Sequence, residues 1–166
     1  MANNLVSYKK GEGEALWVVG DLFEVKLPSD DCDGAMTILE VTAPPGPSVL
    51  VPEHTHPGDE TVYVLEGSVR WHFGDKFVDL PAGSLLHIPM GTSEWAENVT
   101  KTPVRALIIY TGAAAGTEKF LREAGEPAKS RTVPPPSKTD LQRMNSIGKK
   151  YGVHVKVPSA EAEQQP

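Results

Sequence analysis

Two histidines and a glutamate stand close together in the segment EHTHPGDETVYVLEG, residues 53–67. Residues two apart on a β-strand point to the same face, so His54 and His56 can direct both imidazoles to one point. The Pro-Gly-Asp sequence at 57–59 indicates a turn or bulge, after which Glu60 can bring a carboxylate to that point. Two imidazoles and one carboxylate form the ligand set of a non-haem iron site, and they also suit zinc, manganese or nickel. The competing interpretation is a polar turn with unrelated histidines.

A second segment, GSLLHIPMGTSEWAEN at residues 83–98, favours the metal site. Together the two segments resemble the cupin superfamily. The first motif of that family is His-x-His, three or four residues, Glu, six residues and Gly, and it is matched by His54, His56, Glu60 and Gly67. The second motif is Gly, five residues, Pro-x-Gly, two residues, His, three residues and Asn. It is matched by Gly83, Pro89, Gly91 and Asn98, with Glu94 at the histidine position. The resemblance covers residues 36–110.

The resemblance implies an all-β fold, a double-stranded β-helix in which two antiparallel sheets form a jelly-roll barrel around a central pocket. The usual metal of the family is held by three histidines and one glutamate. The implied ligands here are His54, His56 and Glu60, and Glu94 stands where the third imidazole belongs. The implied cofactor is one divalent ion (Fe, Mn, Ni or Zn), with no organic cofactor.

Glu94 leaves three interpretations open. It can be a fourth ligand, or it can act as a base towards a substrate bound to a metal held by the other three side chains. In the third interpretation no metal binds strongly, and the four side chains do acid–base work or hold a ligand. Two neighbouring carboxylates without a metal resist double ionisation, so one pKa should rise into the range of a general acid or base. Glu60 and Glu94 are therefore the candidate catalytic residues.

The elements that must position these residues are short strands. Seven runs rich in β-branched and aromatic residues are separated by turn sequences such as APPGP, HPGD and PAG. The runs are MTILEV, SVLV, TVYVLE, SVRWHF, KFVDL, SLLHIP and VRALIIY. Many short strands without a long helix between them predict an antiparallel sandwich or barrel. We divide the chain into an N-terminal arm (1–20), a cupin barrel (21–112) and a C-terminal helical and proline-rich extension (113–166) packing on the barrel.

The extension is predicted to contain two short helices. TEKFLREAG places Phe120 and Leu121 on one side and ends at Gly125, which can cap the helix. TDLQRMNSIGKKYG begins at a capping Thr139 or Asp140 and carries an apolar stripe. The extension also resembles the tails of small quercetinase-like cupins.

Four aromatic residues are candidates for the walls of the pocket, where they would grip a planar ligand. They are Tyr63, Trp71, Phe73 and Trp95. For each taken singly, the alternative is a place in the core or on the sheet surface.

The overall composition restricts the partners. The 166-residue chain has a net charge of −6 and no Lys/Arg cluster, which argues against nucleic acid and anionic membranes. The first residues lack the apolar run of a signal peptide, no stretch could span a bilayer, and Cys32 is the single cysteine. We expect a cytoplasmic homodimer that acts on a small molecule.

Three functions are consistent with these residues. The first is a metal-assisted, redox-neutral enzyme (isomerase, cyclase, dehydratase or decarboxylase) for a small organic metabolite, aromatic or polyketide-like. The second is a quercetinase-like dioxygenase using Fe, Mn or Ni, although loss of the third histidine counts against it. The third is a non-catalytic cupin that binds a small ligand.

Overall fold

Twelve strands form two antiparallel sheets in the computed structural model, which describes residues 5–136 and 138–158. In chain order the strands are β1 (Glu14–Val18), β2 (Asp21–Leu27), β3 (Met36–Ala43), β4 (Ser48–Thr55), β5 (Asp59–Glu66), β6 (Ser68–Phe73), β7 (Lys76–Pro81), β8 (Leu85–Ile88), β9 (Glu94–Asn98), β10 (Val104–Thr111), β11 (Glu126–Pro127) and β12 (His154–Val155). Two helices follow the barrel strands, α1 (Thr117–Ala124) and α2 (Leu141–Gly148). The ends of the predicted arm and extension, 1–4 and 159–166, lie outside the described residues.

The two sheets pack face to face and enclose the core. One sheet has the strand order β11-β1-β2-β3-β10-β5-β8, and the other has the order β12-β4-β9-β6-β7. Strand β10 shows the pattern that drives this packing, because alternate residues from Val104 to Tyr110 are buried between the sheets. The predicted all-β jelly-roll fold with short C-terminal helices is confirmed.

The N-terminal strand belongs to the sheet of its own chain. Strand β1 pairs with β2 on one side and with β11 on the other. The hairpin between β1 and β2 turns through two residues with positive φ, Val19 at 57° and Gly20 at 93°. This is the backbone twist that two-residue hairpins favour, although a β-branched residue at positive φ is strained. The turn makes Asp21 the first residue of β2 and points it towards the barrel interior.

The two helices lie where the sequence predicts them. Helix α1 ends before Gly125, and the side chain of Asp140 accepts a hydrogen bond of 2.9 Å from the backbone N–H of Arg143 at the start of α2. Helix α2 tightens into a 3₁₀ turn at Lys149–Tyr151 and ends at Gly152, whose φ is 73°. None of the helices among residues 5–136 and 138–158 is long and apolar enough to cross a membrane.

A buried glutamate anchors α1 to the barrel. Glu118 is fully buried and accepts hydrogen bonds from the backbone N–H and the hydroxyl of Ser29 and from the hydroxyl of Thr37. Burial alone would raise the pKa of Glu118, but these hydrogen bonds hold it below its ordinary value. The carboxylate is therefore ionised and fully bonded in the folded protein, which fixes the start of the C-terminal extension over the barrel.

Candidate functional site

Both histidines are held by backbone carbonyls. His54 ends strand β4 with its Nδ1 3.0 Å from the carbonyl oxygen of Pro52, and His56 follows with its Nδ1 2.6 Å from the carbonyl oxygen of Gly58. A carbonyl can only accept, so each Nδ1 carries the hydrogen and donates it. This leaves the Nε2 atom of each neutral ring as the free ligand atom, the arrangement found for histidines that bind metals.

Strand pairing brings Glu94 against His54. Strand β9 lies beside β4 with His54 opposite Glu94, and Glu94 Oε1 is 2.9 Å from His54 Nε2. The other oxygen, Oε2, accepts a hydrogen bond of 2.6 Å from the indole Nε1–H of Trp71 on β6. Glu94 is completely buried. The indole thus orients the carboxylate and leaves Oε1 facing the histidine.

Glu60 comes from the opposite sheet. It is the second residue of β5, it is 1% exposed, and its Oε2 lies 3.6 Å from His56 Nε2. That separation is too long for a hydrogen bond. Tyr110 lies opposite Glu60 on strand β10, where burial and the charge of Glu60 raise the pKa of the tyrosine hydroxyl well above its ordinary value. The same tyrosine ring lies edge-on to His56, with centroids 6.0 Å apart.

Three buried polar atoms at this point have no hydrogen-bond partner. They are His56 Nε2, Glu60 Oε2 and Glu94 Oε1. Glu94 Oε1 is close to His54 Nε2, yet the direction of the contact does not make a hydrogen bond, so we treat it as an ion pair. Native proteins leave few buried polar atoms unpaired, and clustered ones call for an explanation. A cation between the four side chains would satisfy all three.

The donor set also fits a metal. Ligand atoms of His54, Glu60 and Glu94 lie within 4.8 Å of one another, the close grouping that a coordinated ion requires. His56 is not in that group of three, but its Nε2 lies 3.6 Å from Glu60 Oε2. Imidazole nitrogens with carboxylate oxygens suit zinc, iron, manganese or nickel. The structure thus brings together the four predicted metal residues, His54, His56, Glu60 and Glu94.

Burial and neighbouring charges together shift the pKa values of the site residues. Burial alone would lower the pKa of His54, but the charge and hydrogen-bonding capacity of Glu94, together with the charge of Glu60, raise it to about 9. Burial and the charge of Glu94 raise the pKa of Glu60 to about 8. Burial lowers the pKa of His56, so that this ring is neutral at pH 7. The metal-free site therefore holds protons on His54 and Glu60 at neutral pH.

A cavity of about 50 Å³ adjoins the cluster. His54, His56 and Tyr110 form one part of its wall, and the rest is largely apolar. Both C-terminal helices contribute, through Phe120 and Leu121 on α1 and Met144 on α2, and so does the turn at Val18 and Val19. The helices therefore cover the opening of the barrel above the histidines. Sequence reasoning missed these wall residues because they come from segments far apart in the chain.

Two of the four predicted pocket aromatics face inwards. Trp71 is buried, and Phe73 is half-buried against the core. Trp71 serves Glu94 as a hydrogen-bond donor, a role that the sequence did not indicate.

The prediction for Tyr63 and Trp95 was wrong. Tyr63 is 40% exposed on the outer face of β5, and Trp95 stacks on His72 on the outer face of β9, with ring centroids 3.7 Å apart. Successive residues of a strand alternate between faces. Because Glu60 and Glu94 point inwards, residues an odd number of positions away on the same strands must point outwards.

Tyr110 is the site residue that sequence reasoning missed altogether. It lies opposite Glu60 and lines the cavity, yet it stands in the run VRALIIY, which the sequence predicts only as a strand. The available signal was its even spacing from the buried residues Ala106 and Ile108 on the same strand.

With the fold and the site described, comparison with known proteins identifies the class. Residues 39–110 match the model of the cupin domain family. This segment contains both motifs and the four clustered side chains, and the two-sheet barrel around it is the corresponding fold. This segment of the chain is a cupin domain.

Particular relatives are more distant. Germin-like protein 1 of Brassica napus is 31% identical over 102 residues, which is 58% of this chain and 48% of that protein. The chain thus spans about half the length of this curated relative. A predicted oxalate decarboxylase of Thermotoga maritima superposes with a TM-score of 0.58 at 21% identity, covering 64% of this chain and 98% of that one. The polyketide cyclase RemF of Streptomyces resistomycificus gives a TM-score of 0.55 at 17% identity, covering 94% and 84%. At these identities the two structures show the shared fold.

Proposed function

We propose that this cupin is a metal-assisted enzyme that moves a proton on a small organic molecule without net oxidation. The single observation that carries the proposal is the group of three unpaired buried atoms on His56, Glu60 and Glu94, which a divalent ion would satisfy. His54, His56, Glu60 and Glu94 would hold the ion. When bound, it would act as a Lewis acid that polarises a carbonyl or enolate oxygen of the substrate.

The proton is carried by the chain's own carboxylates. Glu60 is the better candidate for the shuttle because Tyr110, which lies opposite it on β10, also lines the cavity. In the ion-bound site Glu60 is deprotonated, so it would accept a proton from the substrate on the cavity side, where Tyr110 lies, and return it there. Glu94 is held by Trp71 and paired with His54, so its main role is to keep His54 and the ion in place.

The cavity indicates the kind of substrate. Its wall is largely apolar and its polar groups are concentrated at His54, His56 and Tyr110. That distribution favours an uncharged, largely apolar molecule with one enolisable carbonyl directed at the histidines. At about 50 Å³ the cavity admits only a small molecule, so an aromatic or polyketide-like substrate requires α1 or α2 to shift outwards. The structural neighbours named as a polyketide cyclase and a predicted oxalate decarboxylase are in keeping with an enzyme for an organic substrate and do not choose between those two reactions.

The test is proton exchange in D₂O. Protein reconstituted with Mn²⁺, Zn²⁺ or Fe²⁺ is incubated under nitrogen with a panel of small ketones and β-diketones, and loss of the α-proton signal is followed by NMR. We expect metal-dependent exchange that is lost in Glu60→Gln and strongly reduced in Tyr110→Phe. The matched control is Glu97→Gln, which changes a carboxylate on the outer face of β9 that is paired with His72.

Two outcomes contradict the proposal. Turnover that occurs only in air, with oxygen consumed, would instead establish the dioxygenase. Saturable binding without exchange for every compound, at equal affinity in wild type and Glu60→Gln, would establish a ligand-binding cupin.

A further inference from the structure

Asp21 is a buried carboxyl that the proposed chemistry does not use. It is 1% exposed, and its Oδ2 atom is buried without a hydrogen-bond partner. Leaving a buried polar atom unpaired costs about 1–3 kcal/mol. The two-residue turn at Val19 and Gly20 directs this side chain inwards at the start of β2, in spite of the strained φ of 57° at Val19. The unpaired carboxyl oxygen and the strained backbone each destabilise the fold, so their presence calls for a functional explanation.

The carboxyl faces a second cavity inside the barrel. This cavity has a volume of about 20 Å³, and Asp21 is the only ionisable side chain among those that line it. The other wall residues are aliphatic apart from Trp71. Burial among these groups raises the pKa of Asp21 well above its ordinary value. The shift favours the neutral carboxylic acid, which can donate a hydrogen bond.

The second cavity adjoins the candidate active site on two sides. Leu50, Val51 and Ile108 line both this cavity and the cavity beside His54 and His56, so they form the wall between the two. Trp71 lines the second cavity with its ring while its indole N–H holds Glu94. Rotation of the three aliphatic side chains would join the cavities into one elongated pocket with polar groups at both ends and an apolar middle.

We propose that Asp21 is the recognition group at the inner end of the substrate pocket, where it donates a hydrogen bond to a carbonyl or hydroxyl oxygen of the ligand. The ligand class is a small, uncharged molecule with an apolar body and two oxygen functions. One oxygen is directed at the histidines and the other at Asp21. This inference rests on the proposed function only in taking the histidine cavity as the substrate pocket.

The test compares three probes of similar size that differ in one group: cyclopentanone, methylcyclopentane and cyclopentylamine. Each is titrated into the protein as purified, with binding followed by NMR at the Trp71 indole N–H and with metal content measured beside each titration. We expect wild type to bind the ketone roughly tenfold more tightly than the hydrocarbon, the effect of one buried hydrogen bond. Asp21→Leu should abolish that preference, and Asp21→Asn, which keeps a donor and an acceptor, should retain most of it.

A readout of stability separates recognition from a structural role. If Asp21 serves a ligand, Asp21→Leu removes an unpaired polar group and should raise the midpoint of thermal unfolding. A lower midpoint in both Asp21→Leu and Asp21→Asn would show a structural role and overturn the proposal. Equal binding of ketone and hydrocarbon to wild type, or tightest binding of the amine, would overturn it as well. None of these readouts needs turnover, so failure of the exchange experiment and failure of this proposal are distinguishable.

Discussion

Metal binding to this site should release about two protons at pH 7. In the metal-free protein the pKa of His54 is raised to about 9 and that of Glu60 to about 8. At pH 7 the first group is almost fully protonated and the second about nine-tenths protonated, as follows from these pKa values. Both must lose their protons to become ligands. His56, whose pKa is lowered, contributes none.

The number of protons released also determines how the affinity for the metal ion changes with pH. Two released protons mean that affinity rises roughly 100-fold per pH unit below pH 7, and the slope should flatten as the pH passes 8 and then 9. Calorimetric titration of chelator-treated protein with Mn²⁺, in buffers of different ionisation enthalpy, gives the number of protons directly. Competition with a metal-binding dye at pH 6, 7, 8 and 9 gives the slope independently.

A matched pair of variants locates the source of the protons. Burial lowers the pKa of His54, and the charge of Glu94 is the main cause that raises it. Glu94→Gln should therefore leave His54 neutral and reduce the count by at least one proton, because the charge of Glu94 also raises the pKa of Glu60. Glu97→Gln, on the outer face of the same strand, should leave the count unchanged. Release of no protons by wild type, or an equal count in wild type and Glu94→Gln, would refute the reasoning.

Three further predictions concern the support of the site. Trp71→Phe removes the donor to Glu94 Oε2 and should weaken Mn²⁺ binding by roughly 10- to 100-fold, measured by dye competition; unchanged affinity would mean that the indole does not orient the carboxylate. Glu118→Gln loses charged hydrogen bonds to Ser29 and Thr37 and should lower the free energy of unfolding by roughly 1.5–3 kcal/mol in urea titrations. The metal-free protein should lose stability as pH rises. Between about pH 4.5 and 8, Glu60 is protonated in the native protein and deprotonated in the unfolded chain, and the same difference holds for His54 between about pH 6.5 and 9. Each group contributes roughly 1.4 kcal/mol per pH unit within its window, so flat stability from pH 5 to 9 would contradict these shifts.

The sequence predicted the strands whose inward positions are apolar. Strand β10 has an alternating aliphatic pattern that leaves little ambiguity. Strands β2 and β9 were not among the predicted runs, because Asp21 starts one and Glu94 and Asn98 occupy inward positions of the other. Polar residues at inward positions hide the two-residue period. The elements that carry functional side chains were therefore the harder ones to find.

The ligand cluster was accessible from spacing, but its environment was not. His54, His56 and Glu60 follow one another within seven residues, and the second motif supplied Glu94. The hydrogen bond from Trp71 and the walls formed by α1 and α2 depend on contacts between distant segments, which spacing along the chain does not encode. The misplaced aromatics, Tyr63 and Trp95, were avoidable by counting positions from the inward-facing carboxylates.

Metal content of the purified protein tests the central claim most directly. Mass spectrometry of wild type, of His54→Ala/His56→Ala and of Glu94→Gln, each after repletion with Mn²⁺, Fe²⁺, Ni²⁺ and Zn²⁺ and removal of free metal, compares the four-residue site with its disabled forms. We predict close to one equivalent of a divalent ion in wild type, none retained by the double alanine variant and a reduced amount in Glu94→Gln. A wild type that retains no ion under any of these conditions, or variants that retain as much as wild type, would contradict the claim that His54, His56, Glu60 and Glu94 form a metal centre.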